Sequence, residues 1–163
     1  MSALYFPDEK KTGISAGIGQ RSPTNHYFGA EFIYYQDKET FSGSVSGSAT
    51  VKLFASGVTY KYFAHLSEQK KAHLYFGGGA GLTVTSVSAT ARGFGQTVTL
   101  SDNSDNDFSY QVLAGIQFSL AQNAELKLGW RYLNVLGVKF KTIGVPSKNL
   151  DTNAFELGMH FRF

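Results

Sequence analysis

The chain of 163 residues has a formal net charge of +3, no cysteine, and 18 Gly, 14 Phe and 9 Tyr beside a single Trp. Its Lys and Arg are dispersed and give no basic footprint for nucleic acid, and without cysteine there is neither a disulfide framework nor a thiolate metal site. A mean hydropathy of −0.15 and the lack of any apolar run of roughly 20 residues exclude a membrane-spanning helix, but not a transmembrane β-barrel, whose strands alternate.

The chain opens with Ser2 to Phe6, turned by Pro7-Asp8-Glu9-Lys10. This first strand is shorter than the roughly 9–11 residues of a full crossing. Ahead of it there is neither a basic n-region nor an apolar h-region, so no signal peptide is read in this chain. Residues 12–21 then set Ile14, Ala16 and Ile18 against Ser15, Gly17 and Gly19. The tight turn Ser22-Pro23-Thr24-Asn25 leads into 26–36, where Phe28, Ala30, Phe32 and Tyr34 oppose Gly29, Glu31 and Tyr35.

Residues 50–63 place Phe54, Val58, Tyr60 and Tyr62 opposite Ala55, Gly57, Thr59 and Lys61. After the polar turn 67–71, residues 72–87 set Leu74, Phe76, Ala80, Leu82 and Val84 against Tyr75, Gly77, Gly79, Gly81 and Thr83. Residues 108–120 set Tyr110, Val112, Ala114, Ile116 and Phe118 against Ser109, Gln111, Gly115, Gln117 and Ser119. Past the turn Ala121-Gln122-Asn123, residues 124–135 put Leu126, Leu128, Trp130 and Tyr132 opposite Lys127, Gly129 and Arg131. The last segment, 153–163, carries Phe155, Leu157, Met159, Phe161 and Phe163 on one face and Glu156, Gly158, His160 and Arg162 on the other. Period-two alternation throughout predicts strands with one apolar face.

Short turns at one rim alternate with longer polar, Gly/Ser-rich connections at 37–49, 88–107 and 137–151, the asymmetry of an outer-membrane barrel. A soluble barrel would turn the large face inward. Phe, Tyr, Leu, Trp and Ile on nearly every strand overfill a small barrel, whereas Gly, Ser, Thr and a few charges fit it. The expectation is a single domain over 1–163: an all-β, eight-stranded, antiparallel up-and-down transmembrane barrel with short periplasmic turns and long extracellular loops. Aromatics near strand ends, including Tyr60, Tyr62, Phe63, Tyr132, Phe161 and Phe163, read as an interfacial girdle.

The stretches "GISAGIGQRSPTNHYFGAEFIYY", "YFGGGAGL", "VLAGIQFSLAQNAELKLGWRYLNV" and "FELGMHFRF" carry a resemblance over residues 13–163. The chain resembles the opacity-type surface proteins of Gram-negative bacteria, the neisserial surface protein A-like and OmpX-like eight-stranded outer-membrane barrels. The resemblance implies a cell-surface antigen that acts in adhesion or host-factor binding, with outer-membrane lipid and lipopolysaccharide around it. It also implies that Leu157, Met159, Phe161 and Phe163 form a C-terminal signal read by the barrel-assembly machinery. Contacts with a host surface or serum protein would come from the three long loops. A monomer without a cofactor is expected. A narrow solute channel and a lipid A-modifying enzyme are the alternative functions.

Inward charge is expensive unless it is paired. The expected interior network joins Glu31 to Arg131 and Glu156 to Lys127 or Arg162, with Lys61 and His160 also inward, and acts as a plug. Ala64-His65-Leu66-Ser67-Glu68 is the one hydrolase-like string, but adjacent residues do not make a triad by spacing. His26, His73 and His160 show no matched acid. The acidic stretch 101–107 lacks the Gly and Glu of a calcium loop and reads as a solvated loop tip. The Gly-rich "FSGSVSGSAT" and "ARGFGQTVTL" read as mobile loop arms.

Refolded in detergent, the protein should give a β-type far-UV circular dichroism spectrum and a gel mobility that differs between unboiled and boiled samples. Folding without detergent would reverse the two faces.

Overall fold

Backbone N–H and C=O groups in alternating segments must find partners on neighbouring strands, and here they do so around a ring. In the computed structural model, which describes residues 1–7, 11–43, 46–66, 71–93, 96–104, 106–140 and 145–162, the strands are β1 (Ser2–Phe6), β2 (Lys11–Arg21), β3 (His26–Phe41), β4 (Ser46–His65), β5 (Ala72–Gly93), β6 (Gln96–Asn103), β7 (Asp107–Ala121), β8 (Ala124–Phe140) and β9 (Val145–Phe161). All pairings are antiparallel, and β4 pairs with β5 while β1 bridges β2 and β9. Eight strands therefore close a barrel in the order β1-β2-β3-β4-β5-β7-β8-β9. The short β1 joins the ring over part of its height: Ser2 to Phe6 pairs along one edge with Lys11 to Ser15, and Ser2 to Tyr5 pairs along the other with Phe155 to Gly158, while β2 from Ala16 to Arg21 has no strand partner on this side among the described residues.

Two of the short turns are well defined. Asn25 takes a positive φ of 67° and its N–H donates to Ser22 O at 3.1 Å, while Ser22 N–H donates to His26 O at 2.7 Å. Asn tolerates this left-handed conformation better than most residues. Gln122 and Asn123 join β7 to β8. The turn at 67–70 lies outside the described residues.

The long connections are built differently from the expectation. Residues 37–49 are mostly hairpin, with β3 and β4 paired out to Phe41↔Gly47. In 88–107, β5 runs on to Gly93 and the chain returns as β6, a ninth strand paired, among the described residues, only with β5, from Ser86↔Asn103 to Gly93↔Gln96. In 137–151, β8 and β9 continue to Phe140↔Val145 through register shifts near Val138. Apart from Ser42 and Gly43, the described parts of the two Gly-rich stretches belong to these strands, and Ser101 to Asn103 belong to β6 rather than to a loop tip. Polar strands wet on both faces have no need to alternate, which is why the pattern did not reveal them. Asp105 lies outside the described residues.

Outside, the ring is greasy: Ile18, Phe28, Phe76 and Phe155 are each more than half exposed. Inside, it is layered. Toward the long-hairpin end sits an apolar cluster including Leu4, Phe6, Ile33, Leu53, Leu133 and Val135. Toward the short turns lies a smaller cluster of Phe63, Tyr75 and Leu113, with Tyr27 packed on it. Phe63 is thus a buried interior residue, 3% exposed, not part of an outer girdle. The period explains it: Phe63 shares parity with Thr59 and Lys61.

Tyr75, with no exposed surface, lays its hydroxyl across Gly115 and Gly129, which are directly paired on β7 and β8. A methyl at Gly129 would collide with that hydroxyl, and one at Gly115 would come within 2.6 Å of it. The hydroxyl has no hydrogen-bond partner among the described residues. Gly129→Ala should therefore destabilise the barrel by about 1–3 kcal/mol. Tyr75→Phe, which deletes the nearest colliding atom but leaves the Ala114 carbonyl oxygen at 2.9 Å, should recover part of that loss in the double variant. Denaturant titration of the three proteins in detergent measures both effects.

Candidate functional site

Strand register delivers five charged side chains to the bore. Glu31 on β3, Lys61 on β4, Lys127 and Arg131 on β8 and Glu156 on β9 all fall on the inward parity and are at most 9% exposed. Arg131 is the hub. Its Nη2 donates to Glu31 Oε1 at 2.6 Å and to Glu156 Oε1 at 3.3 Å, and its Nη1 donates to Glu31 Oε2 at 3.1 Å and to Gln111 Oε1. This is the planar, two-pronged pairing that a guanidinium makes and an ammonium cannot.

The neighbours satisfy much of what remains. Glu31 Oε2 accepts from Thr59 at 3.1 Å and from Gln111 Nε2 at 3.0 Å, and Gln111 Nε2 also reaches Thr59 at 2.9 Å. Glu156 Oε1 pairs with Lys127 Nζ at 2.6 Å and accepts from Ser15 at 3.2 Å. Thr59, Gln111 and Ser15 were not singled out as site residues. Their parity with Glu31 across paired strands is the signal that would have found them.

Lys61 and Arg162 stand apart from this belt. The Lys61 ammonium lies over the rings of Tyr27 at 5.2 Å and Tyr75 at 6.0 Å. Arg162 sits at the short-turn rim on Glu125, a fully buried carboxylate that the sequence reading passed over. Glu125 also faces Arg21 Nη1 at 3.6 Å and His160 Nδ1 at 3.0 Å and accepts from Gln117. His160 thus does have an acid partner, brought by the β8–β9 register pair Glu125↔His160. His65 and His73, also a register pair, meet through their Nδ1 atoms at 3.0 Å, and Asn25 Nδ2 lies 3.3 Å from His65 Nε2. Ser67 and Glu68 of the hydrolase-like string lie outside the described residues. No group of three or more metal-ligating side chains occurs among the described residues.

Of the terminal ladder, Phe155, Leu157 and Phe161 are exposed on the outer face and Met159 is half-buried. Phe163 lies outside the described residues.

A sequence-family match to the outer membrane protein beta-barrel domain runs over residues 4–163, nearly the whole chain. The chain belongs to this outer-membrane β-barrel family. Among solved structures, this barrel is similar in fold to neisserial surface protein A, with a TM-score of 0.63 and 20% identity over 99% of this chain and 91% of that one. A more distant likeness, at a TM-score of 0.49 and 17% identity over 99% of this chain and 91% of the other, is to Ail, the attachment invasion locus protein of Yersinia pestis. No curated protein matches the sequence.

Truncating one member of a buried pair strands the other without a counter-charge. Glu31→Ala should cost about 3–5 kcal/mol of barrel stability. Arg162→Ala, at a half-exposed site where Arg21 and His160 still hold Glu125, should cost under about 1 kcal/mol. The temperature at which the unboiled gel mobility is lost ranks the two. Conductance without destabilisation in Glu31→Ala would contradict a structural belt.

Proposed function

We propose that the chain is a surface adhesin of a Gram-negative outer membrane, which engages a host surface or serum protein through the strands projecting from its long-hairpin end. The observation that carries this reading is the open edge of β6. Above the ring, the outer parts of β3, β4 and β5 continue as a sheet, with β6 as its last strand on one side. Natural sheets protect such edges with Lys, Pro or bulges. β6, QTVTLSDN, has none of these and a single charge, Asp102, near its end, and Val98 and Leu100 are each more than half exposed. An edge of this kind captures an extended polypeptide by adding it as a further strand, with backbone hydrogen bonds giving affinity.

Ring filling supports a surface role over conduction. The apolar layer and the charged belt occupy the bore, as expected of eight strands. Against lipid chemistry, the Glu125–His160 pair faces two arginines, and among the described residues no serine hydroxyl bonds to it. On this reading the long hairpins face the outside, the apolar band meets lipid and lipopolysaccharide, the protein acts as a monomer, and the Leu157 to Phe163 ladder serves barrel assembly.

The ladder geometry selects a clean test. Ser104 N–H bonds to Thr85 O, so in antiparallel alternation Asp102, Leu100 and Val98 point their backbone groups at β5 while Ser101, Thr99 and Thr97 point theirs to the open edge. Thr99→Pro deletes one outward donor and no backbone bond to β5, removing besides only the long 3.4 Å side-chain bond to Thr90. The variant should keep its heat-dependent gel shift and lose on the order of tenfold in binding to host cells, the equivalent of roughly one or two hydrogen bonds. Unchanged binding would exclude the β6 edge.

A further inference from the structure

The inward-facing charges do not balance. From the short-turn rim up to the belt, five cationic side chains, Arg21, Lys61, Lys127, Arg131 and Arg162, share three carboxylates, Glu31, Glu125 and Glu156. Arg131 and Lys127 divide the two belt carboxylates, and Arg21 and Arg162 divide Glu125. Lys61 is left over. It is 9% exposed, and among the described residues no carboxylate oxygen approaches its Nζ within the 4.0 Å of an ion pair. Aromatic faces at 5.2 and 6.0 Å offset only part of a buried ammonium's lost hydration.

Beside Lys61 there is space. A cavity of about 60 Å³ lies between the belt and the rim, and its walls include Lys61, Lys127, Thr59, Tyr27, Gln117 and His160. Two of these are cations, and Tyr27, Gln117 and His160 carry hydroxyl, amide or imidazole groups able to donate, while the Thr59 hydroxyl is already given to Glu31. Glu31 is also on the wall, but both of its oxygens are engaged by Arg131, with Thr59 and Gln111 added on Oε2. The volume holds a small ion with a few waters, and the excess of positive charge selects the sign. Above it, Arg131 and the apolar cluster close the bore.

We propose that the short-turn half of the barrel is a dead-end anion site, in which a small inorganic anion of the chloride class sits in the cavity against Lys61 and Lys127. Arg21 and Arg162 at the rim draw the anion in, and the belt stops it from crossing. The ion completes the interior charge balance and so stabilises the folded barrel without being transported.

The test compares refolded protein in sodium bromide and in sodium gluconate at matched ionic strength, gluconate being the much bulkier anion. The thermal midpoint of the gel shift should be higher in bromide by a few degrees. Lys61→Met should abolish that difference, and Lys61→Arg should keep it. Crystals of the unmodified protein grown in bromide should show anomalous density in contact with Lys61 Nζ, a readout that needs no variant to fold. Equal midpoints in the two salts, a difference that survives in Lys61→Met, or bromide found only on the outer surface as an adventitious ion would each overturn the assignment.

Discussion

A sheet edge in hydrocarbon has no water to take its free N–H and C=O groups, so strands that cross a membrane must close into a ring. In this chain the burden falls on β1. Five residues, Ser2 to Phe6, hold β2 on one side and β9 on the other. Its alternation also fixes what lies on either side of the wall: Leu4 and Phe6 go inward to the apolar cluster, while Tyr5 faces out. Once the ring is closed, parity along each strand decides every other placement. The large residues must face lipid, because eight strands leave a bore that only small residues and a few long side chains can fill.

That bore is filled in an order that suits its two ends. Apolar residues seal it toward the long hairpins, Arg131 and its carboxylates cross it at mid-height, and Glu125 gathers Arg21, His160 and Arg162 near the short turns. Buried ion pairs of this kind are seldom worth more than well-packed apolar groups. Their value here lies in register. Glu31, Arg131 and Glu156 meet only when β3, β8 and β9 stand at one particular stagger, and a slip of one residue on any strand would turn its charge toward lipid. The belt makes wrong staggers costly more than it makes the right one stable.

How far the sequence revealed this depends on where each residue lies relative to lipid. Within the apolar band one face is forced to be greasy, so period two is imposed, and the faces of Phe28, Lys61, Tyr75 and Arg131 could be read directly. Outside the band both faces of a strand meet water and the constraint disappears. The projecting parts of β3, β4, β5, β8 and β9, and all of β6, therefore looked like loops. Errors inside the band arose where a residue type outweighed its parity. Phe63 was placed with the outer aromatics although it shares a face with Thr59 and Lys61. Glu125 went unnoticed because it stands next to a turn, and His160 lacked a visible acid because its partner comes from 35 residues away in sequence, across a strand pair. Pairings such as Glu31 with Arg131 needed the inward set and the size of the bore. The remaining hydrogen bonds from Thr59, Gln111 and Ser15 needed the stagger, which alternation alone does not fix.

The two ends of the barrel consequently obey different chemistry. At the long-hairpin end, strand continues beyond the need for closure and ends in β6, whose outer edge is unpaired among the described residues. Unpaired backbone there is tolerated because water can solvate it, and the same exposure leaves it available to another chain. At the short-turn end, tight turns leave little backbone exposed, and what faces inward is an excess of guanidinium and ammonium groups over carboxylates. On the two proposals made above, recognition of polypeptide would rest on backbone geometry above the membrane, whereas the interior would respond to small ions. The Arg131 belt and the apolar layer lie between the two. Changes to β6 and changes around Lys61 should act independently, since no paired residue is shared between the projecting sheet and the charged rim.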